Sequence, residues 1–128
     1  MLDLGCGAKD LLKYITPKKY VGIDYYTNEY ADIKIDFNSD FELPDSAWDY
    51  IVCSGLVEYL SDLDHFFSCI SFKAKKVIVT FWTGAKAGID NPNCVETLDE
   101  FDRLFQKYFK VIKVDKWDQH YIYLGMSE

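Results

Sequence analysis

The sequence is short of the residue types from which most metal sites are built. Only two of its 128 residues are histidine and four are cysteine. The cysteines lie far apart and form no Cys-x-x-Cys pair, a spacing that fits neither a zinc site nor a disulfide framework. We therefore expect no bound metal, and free thiols in a cytoplasmic protein.

Basic residues are also scarce. Lysine and arginine number 14 against 21 aspartates and glutamates, which gives a formal net charge of −7. Because an anionic surface repels phosphate backbones, this balance predicts a chain that does not bind nucleic acid. No apolar run approaches the roughly 18–20 residues that span a bilayer, so we expect no membrane attachment.

What the sequence has in quantity is core-forming side chains. Hydrophobic residues make up 49% and aromatic residues 17% of the chain, which excludes a disordered protein. A length of 128 residues predicts one domain, residues 1–128, with a core of useful size.

The order of apolar segments predicts strands that alternate with helices, and hence a parallel sheet. Helices are expected over residues 8–15, one turn at 27–30 and a helical segment at 56–60. Ser61-Asp62-Leu63-Asp64 resembles an N-cap for a helix that ends near 70, and a further helix should follow the capping box of Thr97 and Glu100. The run at 76–82 is typical of a strand buried on both faces. A short turn between the last two strands predicts an antiparallel hairpin. Strands are expected at residues 1–4, 19–23, 32–35, 48–54, 76–82, 109–114 and 121–125.

The most informative motif is Leu-Asp-Leu-Gly-Cys-Gly at the start of the chain, followed by a second apolar segment that ends in Asp24. Gly5 and Gly7 carry no Cβ, so the backbone there can approach a ligand closely. An acid at the end of the second strand is placed to accept hydrogen bonds from a ribose diol. A nicotinamide-binding fingerprint would need a third glycine at position 10, where the chain has Asp10, so an oxidoreductase is disfavoured.

These residues resemble those of class I S-adenosylmethionine (SAM)-dependent methyltransferases. That family's pattern is an acid followed by x-Gly-x-Gly-x-Gly, matched by Asp3, Gly5 and Gly7, with Lys9 where the third glycine is expected. The resemblance implies a Rossmann-like, mostly parallel seven-stranded sheet in the order 3-2-1-4-5-7-6, with strand 7 antiparallel. The family's N-terminal helices are missing here and the second helix is truncated.

The resemblance also implies SAM as the cofactor and assigns residues to it. The glycine loop would hold the methionine portion, and Asp24 the ribose. Tyr25 would pack on adenine, for which core packing is the alternative, and Lys9 is either a solvated charge or a neutraliser of the cofactor carboxylate. Asp36 and Phe37 follow strand three, where an acid and a backbone amide would meet the adenine. The predicted cofactor residues are Asp3, Gly5, Cys6, Gly7, Asp24, Tyr25, Asp36, Phe37, Cys53 and Ser54.

Candidates for the acceptor side lie beyond strands four and five. Glu58 and Tyr59 match a segment that often reads x-Glu-His-x in the family, with Tyr59 in place of the histidine. The loop at 83–96 should cover the acceptor, with Asp90 as a further catalytic candidate. Trp82, Asn91 and Asn93 are possible contacts. The two histidines, His65 and His120, are interpreted as surface or structural residues.

The sequence therefore predicts methyl transfer from SAM to a small or medium-sized acceptor molecule by in-line displacement. The alternative is a non-catalytic methyltransferase-like module that binds SAM or a partner protein. Lys9, Tyr59 and the missing N-terminal helices favour that alternative, and a homodimer or partner protein covering the N-terminal side is a related hypothesis.

Overall fold

The computed structural model describes residues 1–84 and 94–127. These residues form one sheet of seven strands, two α-helices and two short 3₁₀ helices. In chain order the elements are β1 (Leu2–Leu4), a 3₁₀ helix (Asp10–Lys13), β2 (Val21–Asp24), β3 (Ile33–Lys34), β4 (Trp48–Cys53), a 3₁₀ helix (Val57–Tyr59), α1 (Leu63–Ile70), β5 (Ala74–Trp82), α2 (Leu98–Tyr108), β6 (Phe109–Trp117) and β7 (His120–Ser127).

The strand order is β3-β2-β1-β4-β5-β7-β6, which confirms the predicted order. Strands β1 to β5 pair in parallel, and β7 runs antiparallel to both of its neighbours. The insertion of β7 between β5 and β6 places His120 opposite Trp82 on one side and Trp117 on the other. Trp82 at the end of β5 is thereby brought next to the hairpin of β6 and β7, although it lies more than 30 residues earlier in the chain.

Both α-helices pack on the same face of the sheet. Asp62 caps α1 by accepting a hydrogen bond from the His65 amide at 2.9 Å, and Thr97 caps α2 by accepting one from the Glu100 amide at 3.2 Å, as the sequence predicts. The apolar stripes of the two helices meet at Phe67, whose ring packs edge-on against Phe105. The core between helices and sheet is therefore largely aromatic.

The opposite face of the sheet has much less cover. Along β5, Val77 and Val79 point to the helices and are fully buried, whereas Ile78 and Thr80 are partly exposed. The prediction that this strand is buried on both faces is therefore wrong. Among the described residues, what packs there is the segment of the first 3₁₀ helix, which leaves an apolar groove of about 370 Å³. The groove is lined by Met1, Leu11, Ile15, Tyr50, Val52, Ser54, Ile78 and Thr80.

The predicted α-helix at residues 8–15 is also wrong. A 3₁₀ helix covers Asp10–Lys13 and buries no residue. Lys9 has a φ of 61°, in the left-handed region that an α-helix cannot include, so helical structure begins only after it. Pro17 then stops the segment from extending. The expected turn of helix at 27–30 is replaced by non-helical turns, and the segment at 56–60 is a 3₁₀ helix, Val57–Tyr59.

In the described part of the chain, no helix combines the length and the hydrophobicity that crossing a bilayer requires.

Gly125 in β7 lies directly beneath the side chains of Phe105 and Phe109. An added Cβ there would lie 2.6 Å from Phe105 Cζ and 3.0 Å from Phe109 Cβ, and both phenylalanines are buried. We expect Gly125→Ala to lower the free energy of unfolding by about 1–3 kcal/mol, the usual cost of overpacking a core. Urea denaturation measures this. Met126→Ala, at the exposed neighbouring position, is the control, and equal midpoints for the two variants would contradict the packing described here.

Candidate functional site

A cavity of about 550 Å³ runs along the carboxyl ends of the first four strands in the sheet. Open α/β sheets bind their ligands at this edge. Six of the ten predicted cofactor residues line it: Gly5, Gly7, Asp24, Tyr25, Asp36 and Phe37. The remaining lining residues are Ile35, Asn38, Gly55, Leu56, Tyr59 and Leu60.

An adjoining cavity of about 390 Å³ lies on the other side of the glycine loop. Asp3, Cys6 and Ser54 line it together with Gly5 and Gly7. The structure thus places nine predicted cofactor residues around two adjoining cavities, one on each side of the loop that follows β1. The tenth, Cys53, lines neither cavity, because its side chain is fully buried in the core, where burial raises the pKa of the thiol.

The glycine loop is held by the backbone of β2. The Gly5 amide donates to the Ile23 carbonyl at 2.8 Å, and Gly5 and Gly7 have φ values of 76° and 53°. An added Cβ on Gly5 would lie 3.1 Å from Leu56 Cβ, whereas one on Gly7 would meet nothing within 4 Å. Gly5 is thus needed for conformation and space, and Gly7 for its left-handed conformation alone.

Asp24 fixes the loop in place. Its Oδ2 accepts hydrogen bonds from the Gly7 amide and from Asn28 Nδ2, each at 2.8 Å, and its Oδ1 accepts one from the Tyr25 amide at 2.7 Å. Asn28 Nδ2 also donates to the Gly7 carbonyl at 2.9 Å. A carboxylate has about four lone-pair sites, so one site on Oδ1 is left for a ligand. Sequence reasoning found Asp24 but missed Asn28, for which the only signal was ordinary turn chemistry.

Lys9 does not point its charge at the cavities. Its Nζ lies 2.7 Å from Asp32 Oδ1, and Asp32 Oδ2 accepts a hydrogen bond from the Gly22 amide. The hydrogen bonds from Lys9 and Gly22 hold the pKa of the Asp32 carboxyl below its usual range. The Lys9 ammonium is thus held in an ion pair with Asp32, an arrangement that neither interpretation of Lys9 included.

The turn after β3 lines the cavity with Asp36, Phe37 and Asn38. The Phe37 ring packs edge-on against Phe41 and Phe66 at centroid distances of 5.1 and 5.7 Å, so the ring belongs to the core. Asn38 joins this turn to the second 3₁₀ helix, because its Nδ2 donates to the Tyr59 carbonyl at 3.0 Å. Its Oδ1 accepts from the Ser61 amide at 2.9 Å. Asn38 is a positioning residue that the sequence did not single out.

Asp3 is a buried acid beneath the loop. Its side chain accepts a hydrogen bond from the Tyr20 hydroxyl at 2.6 Å. Burial raises the pKa of the Asp3 carboxyl, the bond from Tyr20 opposes that rise, and the negative charge of Asp24 adds to it. A positive charge nearby would therefore stabilise the ionised form of Asp3.

A third, smaller cavity of about 180 Å³ lies beyond the ends of β4 and β5. Its lining residues are Gly55, Glu58, Tyr59, Trp82 and His120, and it shares Gly55 and Tyr59 with the 550 Å³ cavity. The structure thus brings the predicted acceptor residues Glu58, Tyr59 and Trp82 together. It also adds His120, which we interpreted as a surface or structural residue; its position depends on the insertion of β7. Asp90, Asn91 and Asn93 lie outside the described residues.

A fourth cavity, of about 580 Å³, lies at the amino ends of the strands. Four lysines line it, Lys18, Lys19, Lys75 and Lys76, and it contains none of the predicted site residues. Although it is slightly larger than the 550 Å³ cavity, it lies at the opposite edge of the sheet from the carboxyl ends of the strands, where open α/β proteins bind their ligands.

Comparison with known proteins identifies the fold. No protein-family model matches the sequence, and no curated protein is significantly similar to it. Among solved structures, a SAM-dependent methyltransferase from Aquifex aeolicus matches 99% of this chain and 81% of its own, with a TM-score of 0.74 at 19% identity. One from Mesorhizobium loti matches 98% of this chain and 89% of its own, with a TM-score of 0.73 at 12% identity. The chain therefore has the Rossmann-like fold of the class I methyltransferases.

Two further structures correct the prediction about nucleic acid. The 16S rRNA methyltransferase RmtF, in complex with S-adenosylhomocysteine, matches 99% of this chain and 55% of its own, with a TM-score of 0.66 at 18% identity. An rRNA methylase from Escherichia coli matches with a TM-score of 0.64 at 17% identity. The exclusion of nucleic acid is therefore wrong. Net charge is a sum over the whole chain and hides local clusters such as the four lysines at the 580 Å³ cavity.

The conformation of Lys9 predicts an unusual order of stability. Lys9→Gly and Lys9→Ala both lose the ion pair with Asp32, but only alanine keeps a Cβ in the left-handed region. We expect the glycine variant to be more stable than the alanine variant by about 0.5–1 kcal/mol, after the greater freedom of glycine in the unfolded chain is subtracted. Urea denaturation measures the difference, and an alanine variant as stable as the glycine variant would contradict it.

The raised pKa of Asp3 predicts a pH dependence of stability. The contribution of such an acid is fully present below its unfolded-state pKa of about 4 and is lost as the pH rises through its folded-state value. As the pH falls from about 7 to about 4, wild type should therefore gain stability relative to Asp3→Asn. Urea denaturation across this range tests this, with the exposed Asp45→Asn as the control. A gap between wild type and Asp3→Asn that stays constant or changes in the opposite direction would refute the assignment.

Proposed function

We propose that this protein is a SAM-dependent methyltransferase that acts on a small or medium-sized acceptor. The observation that carries the proposal is the 550 Å³ cavity at the carboxyl ends of β1 to β4. It combines a loop with two positive-φ glycines, an acid at the end of β2, and Asp36 and Phe37 in the turn after β3. The fold of the chain, shared with SAM-dependent methyltransferases, supports the same activity.

The hydrogen-bond donors and acceptors around the adjoining 550 and 390 Å³ cavities fit the chemical groups of SAM. The open lone-pair site of Asp24 suits a ribose hydroxyl, and Asp36 with the backbone of the following residue suits the adenine amino group and ring nitrogens. The buried carboxylate of Asp3 favours the cationic end of the cofactor over a neutral one. Tyr25 is half-exposed at the cavity wall, beside the Tyr26 ring, and its exposed face suits packing on the adenine.

When bound, SAM supplies a methyl group on a sulfonium, whose leaving group is a neutral thioether. The residues of this chain would mainly hold the reacting atoms in line, because proximity and orientation alone lower the activation barrier by several kcal/mol. Tyr59 and Gly55 line both the 550 Å³ and the 180 Å³ cavities, so the smaller cavity is the proposed acceptor subsite. Its size supports a small or medium-sized acceptor, or a small reactive group of one.

A non-catalytic SAM-binding module is the second candidate function. Tyr59 stands where the family segment often has histidine, and its side chain is largely exposed, so it replaces no buried base. The cytosol is the compartment we propose in either case, supported by the free thiols of all four cysteines.

Titration calorimetry with SAM and S-adenosylhomocysteine tests the proposal. We expect both ligands to bind, and Asp24→Ala to weaken binding by roughly 1.5–3 kcal/mol, the value of hydrogen bonds to a charged group. Because Asp24 also makes three hydrogen bonds within the protein, the same variant should melt at a lower temperature.

The control is Asp45→Ala, which removes an exposed acid outside the cavities and should leave affinity unchanged. No binding of either ligand at millimolar concentration would overturn the proposed function. Binding that Asp24→Ala leaves intact would overturn the assignment of the site while keeping the activity.

A further inference from the structure

Two adjoining cavities of opposite character lie on the open face of the sheet and at its amino edge. The apolar groove of about 370 Å³ and the cavity of about 580 Å³ with its four lysines share Met1, Ile15 and Tyr50 as lining residues. A contiguous apolar surface open to water marks a binding site more often than a scattered one does. The pair of cavities is therefore a candidate site for a ligand with an apolar part and a charged end.

The floor of the groove is set by the pairing of β4 with β5. Tyr50 of β4 lies opposite Lys76 of β5 and, two residues on, Val52 lies opposite Ile78. Because side chains alternate along a strand, Lys76 is on the same face of β5 as Ile78 and Thr80, the face that lines the groove. The floor therefore changes along its length from a lysine, through apolar side chains, to a hydroxyl.

Two ammonium groups stand over aromatic rings at the amino end of this floor. Lys19 Nζ lies 4.5 Å from the centroid of the Trp48 ring and donates to Ser46 Oγ at 3.4 Å. Lys76 Nζ lies 5.9 Å from the centroid of the Tyr50 ring. Neither lysine forms an ion pair within residues 1–84 and 94–127, although acids outnumber bases in the chain. Both charges are therefore available to an anion.

The other charged side chains of the 580 Å³ cavity do not cancel these two. Asp49 lines the cavity, but its Oδ1 lies 2.7 Å from Lys75 Nζ, so this pair is neutral as a whole. Lys18 adds a further positive charge. The amino end of the groove is thus locally positive in a chain whose formal net charge is −7, which suits an anionic head group.

The dimensions of the groove define the length of the apolar part. From Lys76 to Thr80 the floor runs about 13 Å, at about 3.3 Å per residue. An extended alkyl chain advances about 1.25 Å per carbon, given a carbon–carbon bond of about 1.5 Å, so about ten carbons span the floor. The volume of about 370 Å³ equals that of roughly 12 water molecules in the liquid, and a methylene group has a similar size.

We propose that the groove binds a free fatty acid anion of about 10–12 carbons. Its alkyl chain lies along Val52 and Ile78, and its carboxylate accepts hydrogen bonds from Lys19 and Lys76 at the amino end. The segment of the first 3₁₀ helix forms a wall beside the floor, so a single chain fits the groove, whereas the surface of a bilayer does not reach the floor. This proposal does not rest on the proposed function.

Titration calorimetry of the wild-type protein, with fatty acid anions below their micelle concentrations, tests the length of the site. We expect dodecanoate to bind, and the affinity to rise roughly two- to fourfold for each methylene from hexanoate to dodecanoate, because each buried methylene adds hydrophobic stabilisation. Longer chains extend beyond the floor and should gain little more. No binding of dodecanoate at millimolar concentration, or an equally steep rise up to hexadecanoate, would overturn the proposal.

The head-group contacts are tested with a double variant, Lys19→Gln with Lys76→Gln. It should weaken dodecanoate binding roughly three- to tenfold, the scale of two exposed ion pairs. The matched control is Lys34→Gln with Lys116→Gln, which removes two exposed lysines outside both cavities and should change the affinity by less than about twofold. Equal losses in the two double variants, or no loss in the first, would refute the site.

The alternative occupants of this face are a second copy of the chain and a membrane. Ile78→Asp places a carboxylate on the floor and should abolish dodecanoate binding without changing the sedimentation velocity. A dimer that Ile78→Asp dissociates would assign the face to a second copy and overturn the proposal. Flotation with phosphatidylglycerol vesicles but no binding of free dodecanoate would assign it to a membrane, with the same consequence. Should Ile78→Asp fail to fold, the chain-length series with wild type still decides.

Discussion

The carboxylate of Asp24 is the point on which the arrangement of the candidate site depends. It joins the loop after β1, the end of β2 and the turn that carries Asn28 through three hydrogen bonds of 2.7–2.8 Å. The space around Gly7 is open, because an added Cβ would meet nothing within 4 Å. The position of Gly7 is therefore defined by these hydrogen bonds and by its left-handed conformation. The same carboxylate thus shapes the cavity and keeps one acceptor site open towards it.

The sheet is supported unequally on its two faces. The aromatic core under α1 and α2 buries Phe67, Phe101 and Phe105 completely, whereas Ile78 and Tyr50 on the other face remain partly accessible. Most of the stabilising apolar burial therefore lies on the helix side. At the site edge, hydrogen bonds such as those of Asp24 and Asn38 add to this apolar packing and hold the loops in position.

The acceptor side of the site is a product of strand order. Glu58 follows β4 in the chain and His120 begins β7, more than 60 residues later. They line one cavity because β7 enters the sheet next to β5 and its first residue pairs with Trp82. An edge position for β7 would have removed His120 from this cavity.

The local sequence by itself determined the strands, the helix caps at Asp62 and Thr97, the glycine loop and the acid at the end of β2, because each depends on residues close together in the chain. The short turn between the last two strands also sufficed to predict the hairpin. Only the tertiary structure decided which face of β5 is buried, that Lys9 pairs with Asp32, and that His120 and Glu58 line one cavity. These features depend on contacts between distant segments, and the residues involved carry no local pattern that distinguishes them from ordinary surface or turn positions.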